Sequence, residues 1–158
     1  MTNNSSVVVD ASFVVKLCVP EAGSDAAYTL NREWIESGTS RAAPSLIDYE
    51  IVSALNKKLV TGLLSDDEAD AALEALFTEA LELVDTADLH RSALFLSRQL
   101  GLRSSYDAHY LAAATEMDCE FWTADERLYN AVRERFPMIR WLGNAAQTRP
   151  EDKPDEDR

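Results

Sequence analysis

Near the start of the chain stands Val7-Val8-Val9-Asp10-Ala11-Ser12. Three β-branched residues in succession read as a strand buried on both faces, as at the centre of a parallel sheet. A carboxylate follows at once. Open α/β sheets bind their ligands outside the carboxyl ends of the strands, so Asp10 stands where chemistry is usually done. An Asp ahead of a helical run is also a good N-cap. From this stretch alone, cap and ligand are equally open.

Outward from the valines, helical and strand patterns alternate. A short helix over residues 12–19 is stopped by Pro20. A second runs over 24–36, with Gly38 as its stop. A weak strand over 40–43 precedes a helix over 46–60, opened by Pro44 and Ser45. Ser65 and Glu68 form a capping box for a helix over 65–80. Residues 81–84 read as a strand. Asp88 opens a helix with Leu89, Ala93, Leu96 and Leu100 on one face, ended by Gly101. Ser104 opens the next, to about residue 117. A strand over 119–123, a helix over 125–135 and a strand over 138–142 complete the pattern. The alternation predicts an α/β fold with a central parallel sheet.

The chain has 158 residues, which suits one domain with a sizeable core. We expect a flexible N-terminus over residues 1–6, a folded domain over 7–145, and an acidic, disordered tail over 146–158. The N-terminal residues show no basic region leading into an apolar core, so no secretory signal is expected. No apolar run is long enough to span a bilayer. Cys18 and Cys119 lack metal-type spacing and read as reduced, apolar residues. A cytoplasmic protein follows as the expectation. The formal net charge of −13 argues against a generic nucleic-acid coat. It still allows an enzyme that handles nucleic acid through a metal ion.

Four carboxylates could converge. Asp10 follows the first strand, and Asp125 follows the strand over 119–123, on the same edge if the strands are parallel. Glu50 sits at the border of an apolar arc formed by Leu46, Ile47, Ile51, Ala54, Leu55 and Leu59. It is too deep in its helix to be a cap, whereas Asp48 is explained as the capping partner of Ser45. Asp107 lies in the first turn of an Ala-rich helix, where Ser104 and Asp107 also fit a capping box. Thr123 and Glu126 fit another, which leaves Asp125 without a local task. His109 falls on a different face and reads as a surface residue. Four acids in one pocket would repel one another unless cations neutralised them. Oxygen-only ligands suit Mg²⁺ or Mn²⁺ rather than zinc. A carboxylate-held metal pair, about 4 Å apart, activates water and stabilises the leaving oxygen of a phosphodiester. Ser12 and Thr123 are placed to orient ligands or waters behind the acids.

Val7-Val8-Val9-Asp10-Ala11-Ser12, Pro44-x5-Glu50, Ser105-Tyr106-Asp107-Ala108-x-Tyr110-Leu111-Ala112 and Trp122-Thr123-Ala124-Asp125-x-x-Leu128 resemble the successive motifs of PIN-domain ribonucleases. They are most similar to the VapC toxins of VapBC toxin–antitoxin modules. The resemblance spans residues 7–142. It implies a three-layer α/β/α PIN-like fold, a homodimer, and a Mg²⁺-dependent endoribonuclease whose acidic site is Asp10, Glu50, Asp107 and Asp125. It also implies an RNA substrate and a VapB-like antitoxin; with the acids clustered, a partner that covers them is expected to present an Arg or Lys in place of the metal's charge. The chain departs from many relatives in its acidity. Lys57, Lys58, Arg98, Arg103 and Arg127 are the candidate cations for RNA.

Other classes fit less well. A receiver domain wants a late lysine near its acids, but the only lysine after Lys58 is Lys153, in the tail. A haloacid-dehalogenase-type phosphatase wants Asp-x-Asp after the first strand, where this chain has Asp10-Ala11-Ser12. A non-toxin RNA-processing nuclease and a non-catalytic partner-binding module remain as alternatives.

Overall fold

The computed structural model describes residues 5–147, and the side chains of residues 5–145. Residues 148–158 of the expected tail, and residues 1–4 of the expected flexible N-terminus, lie outside the described residues. Five parallel strands form one sheet: β1 (Ser6–Val9), β2 (Ser40–Pro44), β3 (Leu81–Val84), β4 (Glu120–Thr123) and β5 (Ile139–Trp141). The helices that flank it are α1 (Ala11–Cys18), α2 (Ser24–Ser37), α3 (Leu46–Val60), α4 (Asp66–Thr78), α5 (Ala87–Leu100), α6 (Ser105–Glu116), α7 (Glu126–Val132) and α8 (Leu142–Gln147). The expected α/β architecture is the one observed. The short α8 was not foreseen; it carries the fold two residues past the expected boundary at 145. At the other end, β1 takes in Ser6.

The strand order is β3-β2-β1-β4-β5, so the valine run is the central strand. Val7, Val8 and Val9 are all buried, which is why a continuous apolar run, not an alternating one, encodes this strand. The chain steps outward from β1 to β2 and β3. It then returns through α5 and α6 to β4, on the other side of β1. The reversal places the topological switch between β1 and β4, where open α/β sheets form their crevice. Asp10 and Asp125 follow those two strands.

Helix α6 packs on α5 and lies against β1, β2 and β4. Its run of Ala112, Ala113 and Ala114 is buried, and small side chains let it sit close to the sheet. Elsewhere in the core, Phe13 of α1 meets Trp34 of α2, which meets Trp122 of β4 edge-on. Arg41, buried in β2, bonds Asn31 Oδ1 and Glu79 Oε2, each at 2.6 Å. These partners offset the cost of burying the guanidinium. Both cysteines are free and half-buried. Among the described residues, no helix is long and apolar enough to cross a membrane.

Several helix starts differ from expectation. The Ser65–Glu68 capping box forms as expected, with bonds of 3.2 and 2.8 Å. Ser45, however, does not cap α3; its hydroxyl donates to Asp85 Oδ2, tying the helix start to the loop after β3. The capping task assigned to Asp48 therefore falls away. Thr86, not Asp88, caps α5 through Leu89 N, and Asp88 pairs with Arg91 instead.

Candidate active site

Asp10 is held by its neighbours on both oxygens. Ser12 Oγ donates to Oδ1 at 2.6 Å and Phe13 N to the same oxygen at 3.0 Å. Thr123 Oγ1 donates to Oδ2 at 2.6 Å. The cap and the candidate site residue are thus one and the same, because the Phe13 bond is the N-cap of α1. Both hydroxyls are fixed in turn. Ser12 Oγ accepts from Ala124 N at 2.9 Å, and Thr123 Oγ1 accepts from Asp125 N at 3.0 Å. Since each hydroxyl has one proton to give, these backbone bonds orient both protons toward Asp10. Three hydrogen bonds favour the ionised form, yet burial outweighs them and pushes the Asp10 carboxyl up to about 6; the charge of Asp107 adds to the rise.

Asp125 also has a local task. It caps α7 through Leu128 N at 3.2 Å, and the expected Thr123–Glu126 capping box does not form, because Thr123 is committed to Asp10. For Asp107 the opposite holds. Ser104 caps α6 through Tyr106 N at 3.3 Å, and Asp107 is in no capping box. Its carboxyl is raised by burial and by the charge of Asp125, against a smaller lowering by Arg127.

Glu50 reaches the same edge from α3. Its Oε1 accepts from the Tyr110 hydroxyl at 2.6 Å. Burial raises the Glu50 carboxyl, the Tyr110 bond lowers it, Asp107 raises it again and His109 lowers it. Asp107 is therefore the hub of the acids, acting on Asp10 and Glu50 and acted on by Asp125. None of the four makes a salt bridge among the described residues. Nor, among those residues, do three His, Cys, Asp or Glu side chains form a ready metal cage. The donor set suits a hard divalent cation all the same. It is all carboxylate oxygen, three of its members are held above their ordinary range by burial and, to a lesser degree, by one another's charge, and Mg²⁺ usually binds through one or two carboxylates with several waters retained.

A profile of the PIN domain matches residues 7–134. The chain belongs to the PIN domain family. It is 34% identical over 135 residues to Ribonuclease VapC3 of Pyrobaculum aerophilum, covering 84% of this chain and 96% of that protein. It is 35% identical over 124 residues to Ribonuclease VapC1 of Mycobacterium tuberculosis, covering 77% and 86%. Two crystal structures share the fold. One is PAE2754 from Pyrobaculum aerophilum, with a TM-score of 0.61 at 20% identity, covering 94% of this chain and 100% of that one. The other is Mycobacterium tuberculosis VapC20, described as a sarcin-ricin loop cleaving toxin, with a TM-score of 0.58 at 22% identity, covering 79% and 94%.

In this PIN domain the sequence reading missed two supporting features. Tyr110 appeared only as a motif residue, yet its hydroxyl donates the hydrogen bond that anchors Glu50. It is 1% exposed and its ring stacks on Phe121 at 5.7 Å, nearly coplanar. A tyrosine three residues after Asp107, amid alanines and leucine, was the available signal. His109 is also closer to the acids than expected. It acts on Glu50, its Nδ1 donates to Ser105 O at 2.6 Å, and its Nε2 lies 3.1 Å from His90 Nδ1. Of the candidate cations, Lys58 is pinned at 2.6 Å on Glu21, which also pairs with Lys16. Lys57 lines a cavity beside Glu50.

Proposed function

We propose that this PIN domain is an endoribonuclease, the toxin of a type II toxin–antitoxin pair, and that it hydrolyses RNA phosphodiester bonds with Mg²⁺ or Mn²⁺. The observation that carries the reading is the row of mutually acting acids at the switch between β1 and β4. The names of the VapC relatives support it. Asp10, Glu50, Asp107 and Asp125 would hold the cation. Such an ion, when bound, polarises the phosphoryl oxygens and lowers the pKa of water. The chain's own residues supply position. Ser12 and Thr123 lock the rotamer of Asp10, and Tyr110 fixes one oxygen of Glu50 and leaves Oε2 for water or cation.

A VapB-like antitoxin that presents an Arg or Lys to this row would inhibit by replacing the metal's charge. A cytoplasmic homodimer completes the proposal. Exposed Val52, Val60 and Leu63, and Leu94 and Phe95 on α5, are apolar surface that an assembly would cover.

The test is incubation of the purified chain with structured RNAs in Mg²⁺, Mn²⁺ or chelator. Metal-dependent internal cleavage is expected, lost in Asp10→Asn. Cleavage that survives chelator, or an equally active Asn variant, overturns the assignment. Growth arrest on expression, with and without the same substitution, tests the toxin role separately.

A further inference from the structure

We infer that Tyr49 and Tyr106 form a base-stacking subsite for single-stranded RNA next to Glu50; the inference rests on the ribonuclease reading above. The two rings come from different helices, α3 and α6, and line one cavity of about 690 Å³ together with Glu50, Ser53 and Lys57. Tyr49 is 79% exposed and Tyr106 60%, so the core uses neither ring. Neither hydroxyl is needed by the acids, since Tyr110 holds Glu50. A second cavity, of about 300 Å³, shares Glu50 and Ala54 with the first and reaches Ser12 and Ala124, the wiring of Asp10. The acids therefore have open space on either side of Glu50, with aromatic rings on one side.

Charge favours RNA bases as the occupant. A chain at −13 gains little from general attraction to phosphates, which normally dominates affinity for nucleic acid. It needs uncharged contacts, and base stacking on aromatic rings supplies them without regard to sequence. The cavity lining also holds Glu50 and Lys57, whereas the cores of protein–protein interfaces are depleted of charge. A strand with one base against the tyrosines would bring a neighbouring phosphate toward Glu50.

The test uses the full chain carrying Asp10→Asn, so that RNA is bound without being cut, and an unstructured RNA oligonucleotide containing 2-aminopurine. Anisotropy reads affinity and 2-aminopurine quenching reads stacking. Tyr49→Ala and Tyr106→Ala should each weaken binding about fivefold or more and relieve the quenching, while Tyr→Phe at either position should stay within about twofold. In the Asp10 background, the Ala variants should raise KM and leave kcat near the parent value. Binding equal to the background in both Ala variants overturns the subsite, as does Phe failing as badly as Ala. It is also overturned if the Ala variants change only self-association by sedimentation, or only antitoxin binding; the rings would then serve a protein interface. A parent that cleaves RNA while its Ala variants keep their KM removes the subsite and leaves the nuclease standing. A parent that binds and quenches through the tyrosines but never cleaves removes the nuclease alone.

Discussion

Asp10 and Glu50 belong to the same acidic edge, yet Asp10 accepts three hydrogen bonds and Glu50 accepts one. The Asp10 corner is built on β1 and β4, where the backbone itself orients the supporting hydroxyls through Ala124 N and Asp125 N. Glu50 rides on α3, half-buried, beside the larger cavity. One half of the site is therefore rigid and shielded from water, and the other is open. Such a division suits a reaction in which one carboxylate is preset and the substrate enters beside another.

The rigid half is costly when no cation is present, and this gives the largest expected effect. The Asp10 carboxyl is raised from 3.8 to about 6. The folded chain therefore holds a proton that the unfolded chain releases, and stability falls as pH rises through this window. The full difference is about 3 kcal/mol, of which about 1 kcal/mol falls between pH 5 and pH 7. Glu50 and Asp107 are raised as well and act in the same direction. Glu21 is lowered and acts oppositely, losing its contribution as pH falls below the ordinary glutamate range. In chelator at pH 7, Asp10→Asn should melt above the parent, and the gap should narrow at pH 5. Mg²⁺ should raise the melting temperature of the parent and not that of the variant. A parent that is more stable at pH 7 than the Asn variant, in chelator, would break the contrast between the two halves.

Next in size is the support of Asp10. Thr123→Val keeps the shape of the side chain and removes the hydroxyl, leaving Oδ2 without its donor. A loss of about 10- to 100-fold in metal affinity or cleavage is expected, measured by metal titration of activity. Ser12→Ala should fall in the same range, since it removes one of the two donors to Oδ1 and leaves Ala124 N without its acceptor. On the open side, Tyr110→Phe keeps the stack on Phe121 and removes the single bond to Glu50. The loss should be about tenfold. The acid limb of the pH–rate profile should move upward, because the Tyr110 bond is the larger of the two influences, with His109, that lower the Glu50 carboxyl.

How much of this was legible follows from what each signal depends on. Three consecutive β-branched residues ended by an Asp favour a strand buried on both faces, so the position of Asp10 at a strand end was legible from local sequence. Asp125 followed by the same reasoning at a second strand end. The caps were not legible in the same way. Thr86 and Asp88, or Thr123 and Asp125, lie two residues apart and both suit the N-cap position. The choice between them is tertiary: Thr123 is drawn to Asp10, which leaves Asp125 to cap α7. Elimination singled out Glu50, but its partner Tyr110 is sixty residues away, beyond any periodicity. The pairing of Lys58 with Glu21 is hidden for the same reason.

That pairing sets up the smallest effect. Lys57 and Lys58 are adjacent in sequence, and a reading of charge alone treats them alike. In the fold, Lys58 is half-buried and held by Glu21, whereas Lys57 is exposed and lines the cavity beside Glu50. A cation already neutralised by a carboxylate releases no counterion from RNA, but one that reaches a phosphate does. Lys57→Ala should therefore weaken RNA binding a few-fold and reduce the slope of log affinity against log salt by about 1. Lys58→Ala should leave that slope unchanged and instead lower thermal stability by up to about 1 kcal/mol. Equal slopes in the two variants would mean that RNA does not follow the open side of Glu50.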